Sequence, residues 1–330
     1  MSSNKKNTYI FLGKVIFITL LIVLFVRSFI IGSLSVSSSQ METTLHDGDK
    51  ILINKTAYGI RLPITLLSIP FTFDHFGEYP SYSSAIQMPY HRLFTKEIER
   101  NDIVIFNHPQ EIEKPLDRRS LLLSRCVALP GDTIELRNNI FFINGQEYEM
   151  SPNSVQEYWI KNGDRDQIES IANENDIPIL DMEKRADTLF MHLSKYDAYI
   201  LNESIQDTIQ QSHHSADTTR SYKIMLPAKG QTVHMNESNT VIYKQIILQE
   251  HRNENIEIKN GKLLINNIQQ NIYTFKDSYY WMLSDNKPNS IDSRTIGFIP
   301  FSSVIGEASY IWYRPTLDGS YKNFCFLPIK

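Results

Sequence analysis

Between Ile10 and Ile31 the chain is almost wholly apolar, broken only by Lys14 and Arg27 towards the two ends of the run. Roughly 20 such residues span the hydrocarbon layer of a bilayer when helical, and a basic side chain near either end extends its charge to the headgroups. One transmembrane helix over residues 10–31 is therefore expected, with the rest of the chain folding on one side of it. A cleaved secretory signal is the alternative, but its apolar region would be long for that role and no A-x-A-like site follows Gly32. Lys5, Lys6 and Lys14 lie on the short N-terminal side. The positive-inside rule then places residues 1–9 in the cytoplasm as a tail and nearly all of the chain outside it.

The remainder is long enough for one large or two smaller folded domains, with 330 residues in all and 42% of them hydrophobic. A net charge of −4, with no basic run beyond Lys5-Lys6, lacks the footprint that phosphate binding requires, so nucleic acid is not expected as a partner. Cys126 and Cys325 are the two cysteines. An oxidising compartment would permit a bridge, but each lies in an apolar, strand-like context, and two buried free thiols are expected. No cofactor or metal is expected. His213-His214 lacks further clustered ligands and reads as a solvated loop.

Along the chain, residues 50–55 alternate as a half-buried strand. Residues 57–71 carry two prolines in an apolar run, which points to an edge ribbon or a loop, either dipping into the bilayer interface or packing on the core. Residues 74–99 lack periodicity and read as a long loop. Residues 102–106 form a short buried strand ended by His108-Pro109, and residues 121–132 a strand closed by a Pro-Gly turn, continued as a hairpin over 133–146. Residues 151–220 change texture, with strand-like pieces at 155–160 and 188–193 and helical pieces at 166–175 and 195–210. That order predicts a small inserted α/β subdomain. The β pattern returns at 222–230, then come a helix over 239–251 and a hairpin over 256–267 turning at Lys259-Asn260-Gly261.

Three stretches carry a family resemblance. Arg27 to Asp49 reads R-S-F-I-I-G-S-L-S-V-S-S-S-Q-M-E-T-T-L-H-D-G-D, residues 121–132 read L-L-L-S-R-C-V-A-L-P-G-D, and residues 279–300 read Y-Y-W-M-L-S-D-N-K-P-N-S-I-D-S-R-T-I-G-F-I-P. In this order, behind an apolar span, they resemble the conserved boxes of bacterial signal peptidase I, and the resemblance runs from about Phe17 to Ile311. It implies a mainly β fold: an antiparallel β core from residues 32–150 and 221–330, with 151–220 inserted, behind one N-terminal transmembrane helix. It also implies a bacterial inner-membrane location, single-pass, with leader peptides of exported proteins and the lipid bilayer as partners.

The same resemblance assigns roles by position. The attacking serine of the family falls on Gln40, and the lysine general base on Ser124. Ser38 falls on the side-chain oxyanion donor, Ser290 on the hydroxyl that orients the lysine, and Asp292 with Arg294 on a structural ion pair. Ser37 and Ser39 replace the Pro and Gly that flank the nucleophile, Ser284 replaces a Gly, Lys287 an Arg and Ile296 an aromatic residue.

Hydrolysis by a serine and lysine pair needs a hydroxyl in contact with an amine whose pKa burial has driven towards neutrality, and donors for the oxyanion. A carboxamide is neither nucleophile nor base, and a serine in place of the amine takes up no proton. The resemblance thus points to a catalytically silent family member that binds leader peptides or assists an active signal peptidase or secretion machinery. An active serine-type peptidase with displaced groups is the alternative, drawing on Ser39, Lys50, Lys55, His46 or His108. Ser39 would face away from the site if this segment is extended. A structural membrane protein that has lost peptide binding is the third reading.

Overall fold

The computed structural model describes every residue except 1, 69–74, 77–78, 138–139, 206–208, 213–221, 253, 260, 316–323 and 330. The chain enters through helix α1, Ser2–Phe29. Its stretch Tyr9–Phe29 is long and apolar enough to cross a membrane, and none of it is buried against the protein. Twenty-one residues at the helical rise reach about 31 Å, close to a bilayer's hydrocarbon thickness. The helix stops two residues short of the expected Ile31. The β-branched pair Ile30-Ile31 turns out of it, and Ile31 pairs with Asn54 across a strand ladder. Lys55 Nζ donates to the carbonyl of Arg27 at 2.8 Å, supplying a partner to the helix end.

Eight strands form the main antiparallel sheet: β1 (Ile31–Ser35), β2 (Lys50–Asn54), β3 (Ile103–Asn107), β4 (Leu121–Ala128), β5 (Tyr279–Leu283), β6 (Ile299–Pro300), β7 (Val304–Tyr313) and β8 (Phe324–Pro328). The spatial order is β1-β2-β7-β3-β4-β5-β6, with β8 also on β7. Strand β3 is buried at every position because the sheet is covered on both faces. Val104 and Phe106 enter one core with Leu122, Cys126, Tyr280 and Met282. Ile103 and Ile105 enter a second with Val36, Met41, Leu45, Ile51 and Leu123. The fold is mainly β, as expected.

Residues 155–211 build their own four-stranded sheet, from Val155–Lys161, Asp181–Arg185, Thr188–Ser194 and Gln210–Gln211. The helices Arg165–Glu174 and Lys195–Ser204 help close a core of their own, containing Tyr158, Ile168, Leu189, Met191 and Leu201. One expectation needs correction here, and one strand was not foreseen. The second helix ends at Ser204 and not at residue 210, and Asp181–Arg185, which is strongly charged, is an edge strand. An edge strand with mostly exposed side chains carries no alternation to read.

Residues 74–99 are likewise not a structureless loop. Tyr82–Gln87 returns antiparallel on Thr65–Ser68, and Arg92–Leu93 on Ile60–Arg61, so the stretch is half of a projecting ribbon. Both faces of Tyr82–Gln87 meet solvent, which erases the period-2 pattern. Leu66, Leu67, Ile86 and Met88 stand exposed along the ribbon. Cys126 is a free, buried thiol. His213-His214 lies outside the described residues, as does the side chain of Cys325.

Candidate functional site

The first stretch leaves β1 at Ser35 and loops back to β2. Val36 N donates to Asp49 O at 2.8 Å and Gly48 N to Val36 O at 2.9 Å, closing the loop at its base. Gly48 sits at φ +85°, where a Cβ would also press on Pro315 at 2.9 Å, so the turn requires glycine. Asp49, fully buried, accepts from Arg314 Nη2 at 2.7 Å and from His46 N at 2.9 Å.

Within this loop Met41 and Leu45 drop into the core, and Ser39–Met41 winds as one 3₁₀ turn. That corrects the extended geometry expected for Ser39 and Gln40. Successive side chains on a 3₁₀ turn diverge by about a third of a circle, so the inference that Ser39 faces away from the site fails. Ser38 precedes the turn in extended conformation, exposed, and its hydroxyl does not cap the turn.

The second and third stretches supply β4 and β5, which pair so that Arg125 lies opposite Leu283. This brings Ser124, fully buried, beside Ser284: their hydroxyl oxygens lie 3.0 Å apart. The next residues fasten all three stretches together. Arg125 forks onto Asp285, Nε to Oδ1 at 3.1 Å and Nη2 to Oδ2 at 2.8 Å. Thr44 Oγ1 donates to the same carboxylate at 2.6 Å. Asn286 N donates to Gln40 O at 2.9 Å and its side-chain amide to Ser39 O at 2.8 Å, while Asn289 Nδ2 donates to Ser39 Oγ at 2.6 Å. Gln40 and Ser124 are therefore tied to the two ends of one tripeptide, Ser284 to Asn286.

Behind it lies a second charged knot. Asp292, fully buried, accepts from Arg294 Nη2 at 2.7 Å, from Arg294 Nε at 2.9 Å and from Ser284 N at 3.0 Å. Ser290 Oγ accepts from Arg294 Nη2 at 2.8 Å. Lys287, in the 3₁₀ turn Lys287–Asn289, is held down to about 8 by burial and then by Arg294, with Asp292 opposing. Burial disfavours its charged form more than the carboxylate favours it.

A family model described as signal peptidase, peptidase S26, matches residues 9–192 and 228–313 of this chain. The chain belongs to that family. Signal peptidase I of Buchnera aphidicola subsp. Baizongia pistaciae is 26% identical over 293 residues, covering 89% of this chain and 73% of that protein. The signal peptidase I of Pseudomonas aeruginosa is 32% identical over 149 residues, 43% of this chain and 40% of its own. A solved signal peptidase I from Enterococcus faecalis V583 aligns at 19% identity with a TM-score of 0.24, over 64% of this chain and 97% of that one.

Several residues that organise this candidate site were not singled out from sequence. Arg125, Asp285, Asn286, Asn289 and Thr44 make most of the links between stretches, yet each looks like an ordinary polar residue in isolation. A usable signal was the adjacency of Arg125 to Ser124 and of Asp285 to Ser284, which pairing two buried strands would turn into an enclosed ion pair. The start of residues 151–220 also touches the site: Thr43 Oγ1 donates to Asn153 O, and Val155 N to Asp285 O at 2.7 Å. Of the alternative bases, Lys50 stands over the rings of Trp312 and Tyr313, Lys55 caps α1, His108 Nδ1 accepts from Gln110 N, and His46 faces Glu42.

Proposed function

We propose that this chain is a membrane-anchored S26 family protein that binds leader peptides without cutting them, acting beside an active signal peptidase or secretion machinery. The observation that carries this reading is the enclosed hydroxyl pair of Ser124 and Ser284. Where the family resemblance puts a proton-accepting amine, two hydroxyls satisfy each other, and the serine that replaces a glycine supplies the second of them. Gln40, at the position of the attacking oxygen, brings a carboxamide. Losing either half of such a pair removes acceleration on the order of 10⁴-fold to 10⁶-fold.

Peptide binding draws support from the sheet. β1 is an edge strand whose outer side has no strand partner among the described residues, and it runs directly into the Gln40 turn. An extended peptide adds to such an edge through main-chain hydrogen bonds. The anchoring part of the reading draws on α1 and on the exposed Ile31, Tyr310, Phe326 and Leu327 beside its end. The bulk of the chain then lies on the outer side of the bacterial cytoplasmic membrane.

The test is the purified full chain in detergent, mixed with leader peptides that end in a small-x-small site. Saturable binding without product is expected. Time-dependent cleavage after that site would overturn the reading.

One observation favours a rewired peptidase as the second reading. The turn bearing Lys287, whose amine burial lowers to about 8, grips the Ser39 turn through Asn286 and Asn289. If cleavage is seen and is abolished by both Ser39→Ala and Lys287→Met, that pair carries it.

A further inference from the structure

Away from this site, a second group of enclosed polar atoms lies at the root of the projecting ribbon. The short strands Ile60–Arg61 and Arg92–Leu93 pair there with Arg61 directly opposite Arg92, an arrangement of like charges that is unfavourable by itself. Arg61 Nη1 donates to Asn107 Oδ1 at 2.8 Å and more distantly to Ser303 O at 3.5 Å. Arg92 donates to Tyr90 Oη at 3.0 Å and to the carbonyl of Val304, and stacks 4.6 Å from the ring centre of Phe301. Arg119, 1% exposed, donates to the carbonyls of Pro109 at 3.0 Å and Lys114 at 3.2 Å.

Carbonyls and hydroxyls satisfy donors but cancel no charge. Asp117, whose charge acts on Arg61, accepts from Ile64 N, Thr65 N and Thr65 Oγ1, and Glu111 and Glu113 act on Arg119; among the described residues none of these carboxylates is in ion-pair contact with any of the three guanidiniums. Three donors are left over in the same region: Arg61 Nη2, Arg119 Nη2 and the Ser303 hydroxyl are enclosed and without a hydrogen-bond partner among the described residues. Ser303 itself is 0% exposed. A buried cation and a buried hydroxyl both disfavour the folded state unless an acceptor meets them. Burial and Arg92 hold Arg61 down to about 10, and burial and Arg252 do the same to Arg119.

We propose that the Arg61 and Ser303 end of this cluster binds a small monovalent anion of halide size, with Arg61 Nη2 and Ser303 Oγ as its donors and Arg92 as the flanking charge. A single-atom anion fits two donors in an enclosed place, whereas a phosphate would bury several oxygens with nothing to meet them. The ion would tie the ribbon root to Ser303, the residue that leads into β7.

The experiment uses the full chain in detergent. Its thermal midpoint is followed as sodium gluconate is exchanged for sodium chloride at fixed ionic strength, and crystals are soaked in bromide. The expected result is a saturable rise of several degrees with chloride and a bromide peak bridging Arg61 and Ser303. Arg61→Gln and Ser303→Ala should each lose the rise, while Arg165→Gln on the exposed helix keeps it. No chloride-specific rise in the parent, an undiminished rise in Ser303→Ala, or bromide found only elsewhere would overturn the proposal. If Arg61→Gln fails to fold, Ser303→Ala and the bromide position decide.

Discussion

The hydroxyl of Ser124 lies 3.0 Å from that of Ser284, across two paired strands that exclude solvent from both. Each hydroxyl can satisfy the other, so a change at either position is felt at its partner. A lysine introduced at residue 124 would meet the Ser284 side chain where glycine would leave space.

Reversion should therefore take three substitutions. Gln40→Ser with Ser124→Lys is expected to cleave a precursor protein weakly, and adding Ser284→Gly to raise the rate further. The triple variant should exceed the parent by on the order of 10⁴-fold. Rates from a time course of precursor processing check this, and equal rates for the double and triple variants would show that Ser284 does not obstruct the amine.

Removing one hydroxyl alone strands the other. Ser124→Ala is expected to destabilise the fold by about 1–3 kcal/mol, and the double Ser124→Ala, Ser284→Ala variant by less than the sum of the two single changes. Urea denaturation of the four proteins measures the coupling. Strict additivity would mean that the 3.0 Å contact contributes nothing.

The Arg125 and Asp285 side chains are 6% and 3% exposed. Asp285→Asn leaves Arg125 as a buried uncompensated charge and should cost about 3–5 kcal/mol. Because Asp285 also holds Thr44, proteolysis near residues 37–45 should become faster in the same variant. A loss below about 1 kcal/mol would place the pair among those that solvent screens.

Lys287 predicts a pH dependence. Its folded value is lowered to about 8 from 10.5, so between those values the unfolded chain binds more protons than the folded one. Stability then rises with pH through that window, and the penalty is present in full below it. Lys287→Met should be more stable than the parent at pH 7, with the gap closing between about pH 8 and 10. Denaturation midpoints at several pH values test this, and a gap independent of pH would refute it.

The apolar run after Tyr9 and the buried strands β3 and β4 could be read from the chain because burial on two faces, or in lipid, leaves an unbroken apolar signature. The ribbon strand Tyr82–Gln87 and the edge strand Asp181–Arg185 were invisible for the opposite reason: no core selects their side chains. The family resemblance drew attention to Gln40, Ser124, Ser38, Ser290, Asp292 and Arg294, because its boxes are matched position by position along the chain.

What the sequence determined by itself is which residue types stand at those positions. Only the tertiary structure decided that Ser284 answers Ser124, that Arg125, Thr44 and Asp285 form one knot, and that Ser39 lies on a 3₁₀ turn and not in an extended segment. Those relationships join residues up to 241 positions apart. A linear pattern records what each residue is, while the contact between two of them exists only once the strands that carry them have paired.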